Sequence, residues 1–296
     1  MKLSILVVTY NQEHYIRQAL DSILMQQVNF DYEVIISDDC STDSTPAICD
    51  EFAKPFSFPQ TPISHIRVYH QETNKGVVHN WEYVLNHCHG EYIAILEGDD
   101  FWNNTNKLQT QVDYMDSHPD VALTFTGVNV LYEGGNIDNE HLFDHLNSRV
   151  YSLAEVYGKW SILSSSVVFR RCPVIPISYP KDIYFCDTFT FMRIMQYGLA
   201  YCIAEPWTTY RRHASNISRK ENREVAIKCA NQHKYIGLFF PQIRKLAQQE
   251  ESTYLKMLIY DRQSKDTWRY RLRYMWLNKQ LLFSRFAIAT IHYILK

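Results

Sequence analysis

Glu97, Gly98, Asp99 and Asp100 follow directly on the apolar run Tyr92 to Leu96, inside the stretch EYIAILEGDDFW. A buried strand should stop where the acids begin, and the carboxyl ends of strands are where open α/β sheets bind ligands. Side chains alternate along an extended segment, so Glu97 and Asp99 are expected on one side and Asp100 on the other. Two converging carboxylates offer the hard oxygen ligands that suit Mn²⁺ or Mg²⁺. Mg²⁺ in particular is usually held by one or two carboxylates plus substrate phosphates, so a nucleotide diphosphate would complete the shell. A lone acidic turn can equally be a solvated one, and the elements that position it decide between the two readings.

Those elements alternate. Ser4 to Tyr10 is a continuous apolar, β-branched run, and Gln12 to Met25 carries Tyr15, Ala19, Leu20, Ile23 and Leu24 at helical spacing. Glu33 to Ser37 is a second buried-type strand, followed by a helix to about Phe52 for which Ser41 or Thr42 could be the N-cap. A Pro/Ser-rich linker from Pro55 to Ser64 precedes a third strand, Ile66 to Tyr69. Asn74 and Gly76 then mark a turn before a helix over Val77 to His87. With Tyr92 to Leu96 as fourth strand, this alternation predicts a parallel sheet with right-handed crossovers and helices on its faces.

The second half is less regular. Helices are expected over Lys107 to Met115, Ser152 to Tyr157 and Thr188 to Tyr197, the last closed by Gly198. Strands are expected over Val121 to Thr126, Ser165 to Arg170 and Ala200 to Ile203, with a loop at Gly134, Gly135 and Asn136. From about Ser218 onward the pattern is mainly helical.

A chain of 296 residues that is 46% hydrophobic can bury a large core, as one domain or a domain with an appendage. Seven cysteines without a C-x-x-C pair suggest neither a disulfide framework nor a zinc ribbon, and fit a reducing cytosol. No run of 18 apolar residues and no signal-like leader is present, so a cytoplasmic protein is expected. Charge is uneven: residues 256–296 hold nine Lys/Arg and two Asp, a net +7, against −9 for the remainder. With Trp268, Tyr270, Tyr274, Trp276 and Phe283, this end is a candidate for an anionic membrane surface at the inner face of the cell membrane, or a packing helix with a solvated basic face. No nucleic-acid recognition signature accompanies the charge.

The ordered series SILVVTYNQE, EVIISDDCSTDST, ETNKGVVHNW, GEYIAILEGDDFW, FCDTFTFMRI and YRRHASNIS resembles the family 2 glycosyltransferases of the GT-A fold, over residues 3 to about 219. Each motif is weak alone, and their order makes the set specific. The resemblance implies an α/β, Rossmann-like domain over 1–219, with a nucleotide-binding half (1–101) and an acceptor-binding half (102–219); the helical pattern makes 220–296 a separate C-terminal region. The resemblance also implies a nucleotide-diphospho-sugar donor. Thr9, Tyr10 and Asn11 end the first strand and can face the nucleotide. Asp38 and Asp39 end the second, where the family's acid matching Asp39 contacts uracil or ribose; either could instead cap the helix. Asn74, Lys75 and Gly76 would close over the base.

In the family's D-x-D motif the second acid falls on Asp99, the expected direct metal ligand, with Asp100 anchoring the loop. Glu97 stands at the first position, where the family carries Asp. Its extra methylene leaves direct metal contact, contact through water and contact with ribose all open; with Gly98 and Asp100 it completes the donor edge. His213 would be a third metal ligand or a diphosphate contact, and Arg211 and Arg212 could neutralise phosphate. Asp187 matches the second acid of the family's Glu-Asp pair and is the expected catalytic base, with Asp182 as runner-up; Cys186 replaces the first acid. Trp102, Trp160 and Tyr184, beside Phe185, are candidate acceptor contacts, and Ser164, Ser165 and Ser166 candidate donor-pocket residues.

The expected activity is inverting transfer of a single sugar, hexosyl or N-acetylhexosaminyl, from a UDP-sugar or related donor to a glycan or lipid-linked glycan in surface polysaccharide or lipopolysaccharide synthesis. The Q-x-x-R-W motif of processive synthases is absent. A sugar-1-phosphate nucleotidyltransferase is the alternative enzyme, but TYNQEHY is not the glycine-rich basic loop that its chemistry requires. The departures at Glu97 and Cys186 keep a non-catalytic sugar-nucleotide binder as the other alternative.

Overall fold

The computed structural model describes residues 1–54, 62–133, 143–159, 161–214, 216, 222–260, 267–279, 286 and 290. The loop expected at Gly134 to Asn136, most of the Pro55 to Ser64 linker and Trp160 lie outside the described residues.

Four apolar runs form a parallel block: β1 (Leu3–Thr9), β2 (Tyr32–Asp38), β3 (Ile63–His70) and β4 (Tyr92–Glu97), lying in the order β3-β2-β1-β4. The helices α1 (Ile16–Leu24), α2 (Thr45–Phe52) and α3 (Val77–Asn86) connect them. Register aligns the strand ends, with Thr9 opposite Asp38 and Val8 opposite Glu97, so the acids that close β2 and β4 emerge at one edge. Leu3, Ile5, Val7, Val34, Ile36, Ala94 and Leu96 are fully buried, in one cluster with Ile16, Leu20 and Ile23 of α1. Each of these Val, Leu and Ile side chains contributes about 1.5–3 kcal/mol by leaving water, which holds the edge rigid beneath the polar residues.

The second half extends the sheet and mixes its direction. It comprises β5 (Phe101–Trp102), α4 (Lys107–Ser117), β6 (Val121–Tyr132), β7 (Val150–Tyr151), α5 (Leu153–Gly158), β8 (Val168–Arg170), α6 (Cys186–Ile194) and β9 (Leu199–Arg212). Among the described residues, nine strands run β3-β2-β1-β4-β8-β6-β9-β5, with β7 on β9. β8 is antiparallel to both β4 and β6, while β6 and β9 pair in parallel through a register shift at Thr126 and Gly127. The result is a mixed α/β sheet flanked by helices.

Several boundaries differ from the sequence reading. α2 starts at Thr45, with Ser44 at its N-cap and no side-chain cap bond. Ser41 and Thr42 are occupied elsewhere: Ser41 bonds Asp38, and the Thr42 N–H donates to Asn11 Oδ1 at 2.8 Å. α5 does start as expected, with a reciprocal capping box between Ser152 and Glu155. Ser164–Ser166 is a 3₁₀ turn rather than the start of β8, and α6 ends at Ile194 rather than Tyr197.

Contacts divide the chain into two compact units, Met1–Tyr179 with Cys186–Ala214, and Pro180–Phe185 with Ser215–Lys296. The second contains α7 (Arg223–Phe239), α8 (Arg244–Tyr260) and α9 (Thr267–Leu277). Asn222 caps α7 by accepting the Val225 N–H at 3.0 Å. Ala226, Ala230, Leu255, Leu258, Ile259 and Tyr274 form the core of this unit. Among the described residues no helix is long and apolar enough to cross a membrane, and all seven cysteines are free.

Candidate functional site

At the end of β4 the chain turns back at once: the Asp100 N–H donates to Glu97 O at 3.0 Å. This turn corrects the alternation expected from extended geometry. It returns Asp100 to the side of its neighbours, and carboxylate oxygens of Glu97, Asp99 and Asp100 lie within 4.8 Å of one another. Gly98 leaves room for its neighbours: a Cβ there would meet Gln12 Oε1 at 2.4 Å and Thr9 Oγ1 and Ile16 Cδ1 at 2.9 Å, so a side chain would have to displace the Gln12 and Thr9 groups at the end of β1.

The three acids are held differently. Glu97 is half-buried and its Oε1 accepts the Ser164 hydroxyl at 2.6 Å. Asp100, 1% exposed, accepts the Ser165 hydroxyl at 2.7 Å on one oxygen and the Arg211 N–H at 3.0 Å on the other. Asp99 Oδ2 lies 3.0 Å from His213 Nε2, and that ring stacks on Tyr15 with centroids 4.8 Å apart. Desolvation and then the Asp99 charge push the Glu97 carboxyl up to about 8, and the same two causes raise Asp100 well above the usual carboxylate range. Crowded, desolvated oxygen ligands of this kind fit a hard divalent cation, whose charge would offset their repulsion. Glu97, Asp99 and Asp100 could supply oxygen donors to such an ion, and His213 Nε2, 3.0 Å from Asp99 Oδ2, is placed either to join them or to orient that carboxylate.

Asp187 is the second residue of α6 and accepts the Thr188 N–H at 2.6 Å. Burial raises its carboxyl to about 6. Glu97 feels the Asp187 charge, and the buried Cys186 thiol is raised by burial and by both carboxylates, so Asp187 belongs to the same electrostatic environment as the acid turn. Asp182, exposed and at φ +67°, lies in the other unit.

The edge at the ends of β1 and β2 is built on hydrogen bonds. Thr9 is 3% exposed, with its hydroxyl on Gln12 Oε1 at 2.8 Å, and Tyr10 is 44% exposed. Asp38 is fully buried and accepts the Ser41 N–H at 3.1 Å and the Ser41 hydroxyl. Asp39 receives the Lys75 N–H at 2.9 Å on one oxygen and the Gly76 N–H at 2.8 Å on the other, so it organises the very loop expected to close over the base. Asn74 and Lys75 are exposed. Gly76 sits at φ +86°, where a side chain is strained, and Asn11 and Cys40 hold left-handed backbone at φ +50° and +62°.

The candidate acceptor aromatics separate. Trp102 is core: it is 1% exposed and donates Nε1–H to Ser165 O at 2.7 Å, so it has no face to offer a sugar. Tyr184 lies in the second unit, edge-on to Phe185, with its N–H on Gln232 Oε1 at 2.9 Å. The Arg211 guanidinium is likewise engaged within the protein, donating to Asp99 O at 3.0 Å and Gln18 Oε1 at 2.6 Å and covering the Tyr15 ring at 4.8 Å. Sequence reasoning missed Gln12, Tyr15 and the bonds from Ser164 and Ser165 to the acids. The SSS run was visible, but nothing in it announced partners some 65 residues away.

The fold and these motifs define a class, and comparison with known proteins gives the family. The profile of Glycosyl transferase family 2 matches residues 4–170, more than half of the chain, and the protein belongs to that family. The Mycobacterium tuberculosis protein Rv1520 is 39% identical over 216 residues, covering 73% of this chain; the chain spans 60% of the length of that relative. Staphylococcus aureus TarS, a poly(ribitol-phosphate) beta-N-acetylglucosaminyltransferase, is 32% identical over 132 residues, 44% of this chain and 22% of TarS. The structure of TarS 1-349 in complex with UDP-GlcNAc superposes with a TM-score of 0.59 at 16% identity, covering 95% of this chain and 88% of that one. The Pyrobaculum calidifontis mannosyltransferase PcManGT, in complex with GDP-Man and Mn²⁺, gives 0.54 at 17% identity, covering 99% and 84%. These two likenesses establish the GT-A-like fold.

Proposed function

We propose that this protein is an inverting glycosyltransferase that moves one sugar from a nucleotide-diphosphate donor, a UDP-sugar, to a glycan acceptor in surface polysaccharide or lipopolysaccharide synthesis. The observation that carries the reading is the turn that brings Glu97, Asp99 and Asp100 within 4.8 Å, at the edge where β1 and β2 present Thr9, Asp38 and Asp39. Family membership and the activity in the TarS name support it. The TarS activity also favours an N-acetylhexosaminyl over a hexosyl group.

In this reading each residue has a task. Thr9, Tyr10, Asn11 and the buried Asp38 line the nucleotide edge, and Asp39 fixes the 74–76 loop over the base by holding its amides. Asp99 would hold Mn²⁺ or Mg²⁺, with His213 as a second ligand or as the group that orients Asp99, Glu97 as a further oxygen ligand or a ribose contact, and Asp100 closing the acid turn. Bound there, the cation supplies charge stabilisation to the departing diphosphate. Asp187, with its carboxyl raised to about 6, is mostly ionised at pH 7 and takes the proton of the acceptor hydroxyl as that oxygen attacks the anomeric carbon. Tyr184 and Trp160 remain as acceptor contacts to test.

The test is a panel of UDP-, GDP- and dTDP-sugars incubated with the protein and Mn²⁺, Mg²⁺ or EDTA, reading nucleotide release and donor binding by calorimetry. Metal-dependent release from one UDP-sugar is expected. No binding of any donor with either metal would overturn the reading.

A further inference from the structure

The basic, aromatic C-terminal region is the feature that the donor site leaves unexplained. Composition alone offers all of its cations and aromatics to a partner, whereas among the described residues the structure withdraws several of them. Arg273 donates to both oxygens of the buried Glu251 at 2.7 and 2.8 Å. Arg271 covers the Phe286 ring at 5.4 Å, and Tyr274 and Met275 are buried. What remains exposed on α9 is Arg269, Leu272 and Trp276, which recur at helical spacing on one face, with exposed Lys279 just beyond the helix end. Leu272 is 42% and Trp276 54% exposed, and residues 267–279 contain no acid.

We infer that this face of α9 is a docking surface for an anionic lipid bilayer. Two large apolar side chains lie between two cations on one helical face. That pattern puts Leu and Trp at the headgroup boundary while Arg and Lys meet lipid phosphate. Charge complementarity selects a negatively charged surface. The apolar pair selects a lipid over a soluble polyanion, which would bind the cations and leave Leu272 and Trp276 in water. The inference does not depend on the transferase reading, since it concerns α9 alone. It does suit an acceptor presented on a lipid.

Deleting the region would be a poor test, because Leu258, Ile259 and Tyr274 belong to the core of the second unit. Exposed point changes are better. The full chain is sedimented with phosphatidylglycerol vesicles and with phosphatidylcholine vesicles, and circular dichroism checks that each variant folds. Retention on phosphatidylglycerol alone is expected. It should fall at least tenfold in Leu272→Ser/Trp276→Ser and about fivefold for each cation neutralised in Arg269→Gln and Lys279→Gln. Absence of wild-type retention on phosphatidylglycerol overturns the inference. So does retention that survives the apolar double change while failing in the Arg269 and Lys279 variants, which is the behaviour of polyanion binding.

Discussion

Two groups of carboxylates close neighbouring parts of one sheet edge, and the protein treats them in opposite ways. At the end of β2, Asp38 and Asp39 receive hydrogen bonds from backbone N–H groups of Ser41, Lys75 and Gly76. At the end of β4, Glu97 and Asp100 are pushed toward protonation by burial and by neighbouring acids. The first pair organises loops. The second also accepts hydroxyl and N–H donors, but its carboxylates crowd one another within 4.8 Å, an arrangement that a divalent cation would relieve. Crowding among carboxylates therefore separates a structural acid from a candidate chemical one better than residue type does.

Changes to the acid turn and to Asp187, which shares its electrostatic environment, should have the largest effects. Asp187→Asn should lower turnover by about 10³-fold while donor binding survives, within the usual range for loss of a general base. Asp99→Ala should remove metal-dependent transfer with the thermal midpoint preserved; full activity in either variant would move its role elsewhere. Asp39→Ala should act through the loop. Losing the acceptor of two amides costs about 1–3 kcal/mol, and calorimetry should read this as roughly tenfold weaker donor binding with little change in turnover of bound donor.

pH sharpens the same contrast. Asp187 rises from an ordinary 3.8 to about 6, and Glu97 from 4.5 to about 8. A carboxyl whose folded value is raised binds protons that the unfolded chain has released. Its contribution is therefore full below about pH 4 and is lost as pH rises through about 6 for Asp187 and about 8 for Glu97. In EDTA the thermal midpoint should fall between pH 5 and 8, and Mn²⁺ should reverse that fall; a flat profile would remove the repulsion argument. Smaller effects are expected from Ser165→Ala, which deprives Asp100 and the Glu97 N–H of a partner, at about 1–2 kcal/mol of stability. Smallest is Gly76→Ala, where a Cβ meets nothing within 4 Å and only the positive φ opposes it, at about 1 kcal/mol in a denaturant melt.

The parallel block was legible because LSILVVT and YEVIISD are buried along their whole length, and YIAILE up to its final Glu97, so that they announce themselves as apolar runs. β9 was read as four residues and is fourteen, since AEPWTTYRR carries neither the period nor the composition of a buried strand. β5, two residues long, gave no signal at all. The site followed the same division. Its acids stood out by position in the sequence, whereas the turn that returns Asp100, the serines that bond the cluster and the His213 to Asp99 contact are tertiary facts. Trp102 shows the converse. An aromatic residue next to a motif is read as a contact, yet a buried indole with its N–H satisfied is packing.

The bonds from Arg211 to Asp100 and from His213 to Asp99 span 111 and 114 residues. During synthesis the four parallel strands leave the ribosome long before β9 does, so a nascent chain can hold its acids without the strand that fixes them. The cluster thus reaches its final geometry only when the last strand of the sheet is in place. Proteolytic protection of ribosome-bound chains of increasing length would time the completion of the domain.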